Sequence, residues 1–236
     1  MAIFVIGDLH LSFQENKPMS IFGANWENHE EKIRKDWMQK VTQNDLVVLP
    51  GDFSWAMHLK DTKEDFAYLN VLPGKKLLLK GNHDYWWTTV TNMKKFLEEN
   101  QFSNIDFLYN NAYEYDDKIL VGTRGWGQSE EEEDKKLLRR EALRLEMSIK
   151  DGIQKGGTTE KMIAFMHYPP VITTKDGQKQ ENILFEILQK YQIKNCYYGH
   201  LHAQAILDAV QEDYKGVNLK LVSADGLDFK LLPVLD

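Results

Sequence analysis

Ile3-Phe4-Val5-Ile6-Gly7-Asp8-Leu9-His10 opens on four apolar residues and closes on a carboxylate and an imidazole. A run this short and continuous reads as a strand buried on both faces, and the polar residues behind it are what the strand delivers at its carboxyl end. Four more runs end the same way. Leu46–Leu49 leads to Pro50-Gly51-Asp52, and Leu77–Leu79 leads to Lys80-Gly81-Asn82-His83-Asp84. Met162–Met166 leads to His167, and Cys196–Tyr198 leads to Gly199-His200-Leu201-His202. In open α/β sheets, sites form outside the carboxyl ends of the strands.

The residue types and spacing point to a metal site. Asp8 and His10 are two apart, which in extended chain sends both side chains to the same side, and His200 and His202 repeat the spacing. A glycine before each ligand permits positive φ and close backbone approach. A mixed oxygen and imidazole set suits manganese, iron, zinc, cobalt or nickel rather than an all-oxygen calcium cage. With no cysteine in the set, a structural zinc site is not expected.

Helical patterns lie between the runs. Ile33, Trp37 and Val41 stand four apart on a charged background, and Leu138, Ala142, Leu145 and Ile149 mark a helix over about 130–150. Ser129 followed by Glu132 resembles a capping box, with the acidic run Glu130–Asp134 at the favourable end of the helix dipole. A third helix is predicted over Asn182–Gln189, and 156–161 reads as the loop after the long helix. Val217–Ser223 and Leu227–Leu232 flank Asp225-Gly226 and predict a closing hairpin. The sum is a layered α/β protein.

Bulk properties narrow the function. The 236 residues are 42% hydrophobic and 28% charged, as in an ordinary globular protein. The net charge is −7, which argues against broad nucleic-acid binding but not against a phosphate ligand, because bound cations dominate a local field. No apolar run reaches the roughly 20 residues that span a bilayer. The first residues go directly into an apolar run, so no signal peptide is expected, and the single Cys196 fits a reducing cytoplasm.

The ordered set D-x-H, G-D, G-N-H-D, H and G-H-x-H, from Asp8 to His202, resembles the calcineurin-like metallophosphoesterase superfamily. Gly51-Asp52-Phe53-Ser54-Trp55 and Asn82-His83-Asp84-Tyr85-Trp86-Trp87 place it nearest a branch of bacterial predicted phosphohydrolases. The resemblance implies a sandwich of two mixed β-sheets flanked by helices, as a single domain over 1–236 with a helical insert near 127–155. It implies two divalent transition-metal ions, manganese foremost. Asp8, His10 and His202 would hold one, Asn82, His167 and His200 the other, and Asp52 would bridge them. His83 would stabilise developing charge or protonate the leaving oxygen. The implied substrate is a phosphomonoester or phosphodiester of a small molecule or nucleotide. A nuclease and a catalytically silent scaffold of the same fold are the rivals.

The Ser/Thr protein phosphatases of the superfamily carry G-D-x-V-D-R-G and G-N-H-E. Here Trp55 stands where a carboxylate partner for His83 is expected, with Asp84 as a substitute, and this argues against protein phosphatase activity. Outside the motifs, Arg124 after Ile119–Val121 reads either as a phosphate clamp or as a surface salt bridge. Trp55, Trp86, Trp87 and Trp126 either wall a pocket or pack beneath the loops. The helix over 130–150 is either a lid or a solvated face laced with ion pairs. His29 and His58 read as structural or exposed.

Overall fold

A computed structural model describes residues 1–15 and 17–234. The chain divides into two compact units, the first made of residues 1–107 and 222–236 and the second of residues 108–221.

The first unit holds a five-stranded sheet. Its strands are β1 (Ile3–Val5), β2 (Leu46–Pro50), β3 (Lys75–Leu79), β4 (Ile105–Phe107) and, from the end of the chain, β13 (Leu232–Pro233). The order is β13-β1-β2-β3-β4, parallel throughout except for β13. The carboxyl ends of β1, β2 and β3 therefore share one edge. Helices α1 (His29–Lys40), α2 (Lys63–Val71) and α3 (Val90–Glu99) belong to this unit. α1 buries Ile33 and Trp37 of the predicted stripe, each contributing roughly 2–3 kcal/mol of burial, while Val41 falls at the extended C-cap just past the helix. The Trp37 indole also donates to the carbonyl of Pro73 at 2.9 Å. α3 starts at Thr89, whose side chain accepts from the Asn92 amide.

The second unit holds a six-stranded sheet of β5 (Tyr113–Tyr115), β6 (Lys118–Thr123), β7 (Met162–Met166), β10 (Asn195–Tyr198), β11 (Asp213–Tyr214) and β12 (Val217–Leu221). The order is β11-β12-β10-β7-β6-β5, with the four central strands parallel and the two edges antiparallel. A separate hairpin pairs β8 (Val171–Thr173) with β9 (Lys179–Glu181). α4 (Glu132–Gln154) and α5 (Ile183–Lys190) complete the unit. Ala142, Leu145 and Ile149 of α4 enter a core with Val121, Ala164, Leu184, Leu188 and Cys196.

The five apolar runs and the sixth, Ile119–Val121, are all strands, and the three expected helices are present. Several local expectations fail. β12 and β13 do not form the hairpin, because they belong to different sheets. The chain between them turns through Asp228 and Phe229, both at positive φ, so Asp225-Gly226 is only the start of a longer bend. The capping box does not close either. Glu131 occupies the N-cap position of α4 without a side-chain capping bond, and Ser129 Oγ accepts from the Glu131 amide at 3.1 Å instead. α4 is no free lid over its length, because Gly122 N donates to Ser148 Oγ at 3.0 Å and pins the helix to β6. Among the described residues no helix is long and apolar enough to cross a membrane.

Candidate functional site

In the first unit the loops after β1, β2 and β3 bring Asp8, His10, Asp52 and His83 together. Asp8 has a donor atom within 4.8 Å of one on His10 and of one on Asp52. His10 Nε2 lies 3.8 Å from Asp52 Oδ2, and the His83 amide donates to Asp52 Oδ1 at 2.8 Å. Asp8, His10 and Asp52 are buried at 0%, 3% and 1% exposure, so three polar groups converge where water barely reaches. Buried carboxylates and imidazoles persist only when paired or when they coordinate metal. Asn82 lies on the same loop as His83, half-buried.

The backbone at these residues departs from expectation. Asp8, His10 and Asp52 have φ of 59°, 48° and 51°, so the Asp8–His10 segment is not extended. Non-glycine residues in the left-handed region cost about 1–3 kcal/mol each and cluster at functional sites. The glycine ahead of the ligand takes positive φ only at Gly51, where φ is 97°. Gly81 instead provides close approach, because a Cβ there would meet Asp52 Oδ1 at 2.1 Å.

Two buried carboxylates brace this arrangement: Asp84, which the motif offered only as a partner for His83, and Asp65, which motif reading missed. Asp84 Oδ2 accepts from the amides of Gly81 at 2.7 Å and Asp52 at 2.9 Å. Its Oδ1 accepts from Phe53 at 3.0 Å, Ser54 at 3.3 Å and the Trp86 indole at 3.0 Å. It thereby ties the β2 loop to the β3 loop. Asp65 accepts from Phe13 N at 3.0 Å and pairs with Ser54 Oγ, which joins the β1 loop to the β2 loop. Burial raises the Asp65 carboxyl to about 6.

Trp55 occupies the position where a carboxylate partner for His83 was expected. Its ring stacks on His10 at 4.8 Å and lies 4.5 Å from His83. The indole lies against the face of His10, with an interplanar angle of 22°, and meets His83 at a tilt of 48°. Lys17 Nζ sits 3.2 Å from the centroid of the same indole. Trp55, Trp86 and Trp87 are all 8% exposed or less, so three of the four tryptophans pack beneath the loops. His29 is structural. Its ring nitrogens lie 3.2 Å and 3.0 Å from the carbonyls of Trp26 and Leu9, and burial lowers its pKa. His58 is exposed.

In the second unit β6, β7 and β10 deliver Arg124, His167 and His200. His167 is fully buried, and its ring centroid lies 5.1 Å from that of His200. His200 takes φ of 74°, whereas His202 is extended at φ −127°, so this pair does not repeat the Asp8–His10 geometry. Tyr168, missed in the sequence, covers His200 at 3.9 Å; its only signal was adjacency to His167. The carbonyl of Arg124 accepts from both His167 N at 3.1 Å and Tyr168 N at 2.9 Å. The Arg124 guanidinium is no surface salt bridge. It lies over Trp126 at 4.5 Å and 3.6 Å from Glu141, a residue with no exposed surface, and burial lowers its pKa. Gly125 has φ of 74° and a Cβ there would meet Tyr168 at 3.2 Å, so this turn requires glycine.

Residues 1–204 match the family described as calcineurin-like phosphoesterase. The chain belongs to that family. Membership supports metal-dependent phosphoester hydrolysis as the general activity, and the donor types of Asp8, His10 and Asp52 fit a divalent metal. Solved structures agree on the fold. A protein of unknown function from Aquifex aeolicus matches with TM-score 0.51 and 20% identity, over 98% of this chain and 95% of that one. A phosphopantetheinyl hydrolase from Mycobacterium tuberculosis matches with TM-score 0.53 and 13% identity, over 99% and 95%. A protein of Thermus thermophilus matches with TM-score 0.59 and 11% identity, over 98% and 97%. Comparison with curated proteins gives no match.

Proposed function

We propose that this family member hydrolyses a phosphomonoester or phosphodiester of a small molecule or nucleotide at a centre of two divalent transition metals, manganese foremost. Asp8, His10 and His202 would hold one ion, Asn82, His167 and His200 the other, with Asp52 shared. The reading treats residues 1–236 as a single catalytic domain with 127–155 as its helical insert. It places the protein in the cytoplasm, consistent with a single buried thiol, Cys196, that burial keeps protonated.

The observation that carries the reading is the convergence of Asp8, His10 and Asp52, buried and on left-handed backbone. Strain of this kind persists where the surroundings over-determine a geometry that function needs. When bound, two such ions lower the pKa of a water and neutralise phosphoryl oxygens. The chain's own part lies in His83 and Arg124. His83 is held by the hydrogen bond its main-chain amide donates to Asp52 and by contact with the Trp55 ring, and it gives a proton to the leaving oxygen. Arg124 holds an anionic group of the substrate.

The test pairs metal analysis with turnover of p-nitrophenyl phosphate and bis-p-nitrophenyl phosphate in added manganese. Two metals per chain with turnover is the expected result, and the preferred substrate separates monoester from diester chemistry. His83→Ala should keep both metals and lose about 100-fold or more in kcat. A His83→Ala protein with full metal and full activity would remove His83 from the mechanism. Absence of metal and turnover after reconstitution would favour the silent scaffold, and strongly salt-dependent cleavage of an oligonucleotide would favour the nuclease.

A further inference from the structure

The carboxyl end of β6 carries a charge cluster of which the hydrolytic reading uses only Arg124. Arg124 Nη2, Arg140 Nε and Arg144 Nη1 all face one oxygen, Oε1 of Glu141, at 3.6, 3.6 and 2.7 Å. The other oxygen of Glu141 accepts from Thr123 Oγ1 at 2.7 Å. Three guanidiniums against one carboxylate leave two positive charges in excess, and Arg144 alone would satisfy Glu141. Arg124 is the costly member. Its side chain is 13% exposed, and its Nε is buried with no hydrogen-bond partner. Desolvating a cation without full pairing is unfavourable, and an anion offsets that cost.

The cluster is built for an anion that accepts two hydrogen bonds from one guanidinium fork. Trp126 lies 4.5 Å from the Arg124 guanidinium and is itself anchored by donating to Asp134 at 2.9 Å. A guanidinium seated over an indole has its fork restrained, and a restrained fork suits bidentate contact with a phosphate. The cluster also adjoins the ligands of its own unit. The Arg124 carbonyl holds the His167 amide, and Trp126 lies 5.2 Å from Tyr168, the ring that covers His200. The phosphoryl group being hydrolysed would already be matched by the metals, whose four charges against Asp8 and Asp52 leave an excess of about +2.

We infer that Arg124, Arg140 and Arg144, racked on Glu141, bind a second phosphate of the substrate, separate from the one hydrolysed. The substrate class is then a bisphosphorylated small molecule or nucleotide. This rests on the hydrolytic reading for its first phosphate and on the arginine cluster alone for its second.

Adenosine 3′,5′-bisphosphate and adenosine 5′-monophosphate are suitable probes. Binding of each to the purified full chain is measured by calorimetry, with turnover of each in parallel. The bisphosphate should bind about tenfold tighter or better, the worth of one charge-assisted hydrogen bond. Arg124→Lys should reduce that preference to within about twofold, because an ammonium lacks the fork. Arg140→Gln, at the half-exposed rim, should reduce it as well and carries little folding risk. Equal binding of the two probes, or a preference that survives in either folded variant, overturns the inference. Turnover of both without preference defeats the second-phosphate site and leaves the hydrolytic reading standing. Preference without turnover of either does the reverse.

Discussion

The two units present their candidate ligands by different means. In the first, Asp8, His10 and Asp52 all adopt left-handed backbone on loops whose amides are gathered by the buried carboxylates Asp84 and Asp65. In the second, only His200 is left-handed. His167 follows directly from β7, and its amide is held by the Arg124 carbonyl, one main-chain group on another. The first arrangement depends on a few acceptor side chains, each serving several donors. The second depends on the sheet ladder, with charge and aromatic packing added at its edge. A loop gathered by one side chain is lost with that side chain, whereas a strand end survives most single changes. The units should therefore respond differently to substitution.

The largest expected effect is at Asp84. Asp84→Ala removes the acceptor for Gly81 N, Asp52 N, Phe53 N, Ser54 N and the Trp86 indole, all in a buried site. Stranded buried donors cost about 1–3 kcal/mol each and are only partly relieved by relaxation, so the loss should be about 4 kcal/mol or more. Urea denaturation measures it. A loss below about 1 kcal/mol would mean that the β2 and β3 loops are held by something other than this carboxylate.

The matching change in the second unit is Glu141→Gln. It keeps one oxygen for Thr123 or Arg144 but leaves Arg124 buried without its carboxylate. Breaking a buried pair costs about 3–5 kcal/mol, and the retained amide oxygen places this variant near the lower end, at about 3 kcal/mol. The loop geometry around His167 should survive, since main-chain bonds hold it. If Glu141→Gln proves more damaging than Asp84→Ala, the contrast between the units reverses.

Acidity separates the units further. Lys76 in β3 is 1% exposed, donates to the carbonyl of Leu72 and faces the Trp37 ring, and burial lowers its ammonium to about 7. Because the folded value lies below the unfolded one, the unfolded chain holds more protons between about pH 7 and about pH 10.5. Stability therefore rises with pH through that window, and the penalty is complete below about 7. Lys76→Met should stabilise the protein by about 2 kcal/mol at pH 6, with a gain that shrinks as pH rises. Chemical denaturation at pH 6, 8 and 10 tests the sign. The buried guanidinium of the second unit has no such limb, because arginine stays charged throughout.

What the sequence showed and what it hid follow the same division. The six apolar runs were legible because strands buried on both faces need continuous apolar residues, and the ligand types behind them were legible because metals select oxygen and imidazole. The backbone at Asp8 and His10 was not. Spacing by two suggested an extended segment, and nothing in the letters shows that the ligands themselves turn left-handed. Asp84 lay within a recognised motif, yet its task as a collector of amides depends on where the β2 loop travels. Arg124 was singled out, but its partner Glu141 sits seventeen positions along, on a helix whose charged residues read as a solvated face. The final hairpin failed because alternation specifies a strand but not the sheet it joins.

The smallest expected effects come from two glycines, one in each unit. At Gly81 an added Cβ would lie 2.1 Å from Asp52 Oδ1 and 2.3 Å from Asp52 N, so backbone must shift. Overpacking of this kind costs about 1–3 kcal/mol, and Gly81→Ala should lose about 2 kcal/mol. Its clearer consequence is displacement of Asp52, read as a fall in bound metal per chain. Gly156, at φ 84° after α4, has nothing within 4 Å of the added atom. Gly156→Ala should cost only the left-handed penalty of about 1 kcal/mol and leave metal content unchanged. Both variants are compared with the parent by thermal unfolding and metal analysis. Equal metal loss at the two positions would show that the effect at Gly81 is general destabilisation rather than displacement of Asp52, and the strained loops of the first unit would lose their special claim on the site.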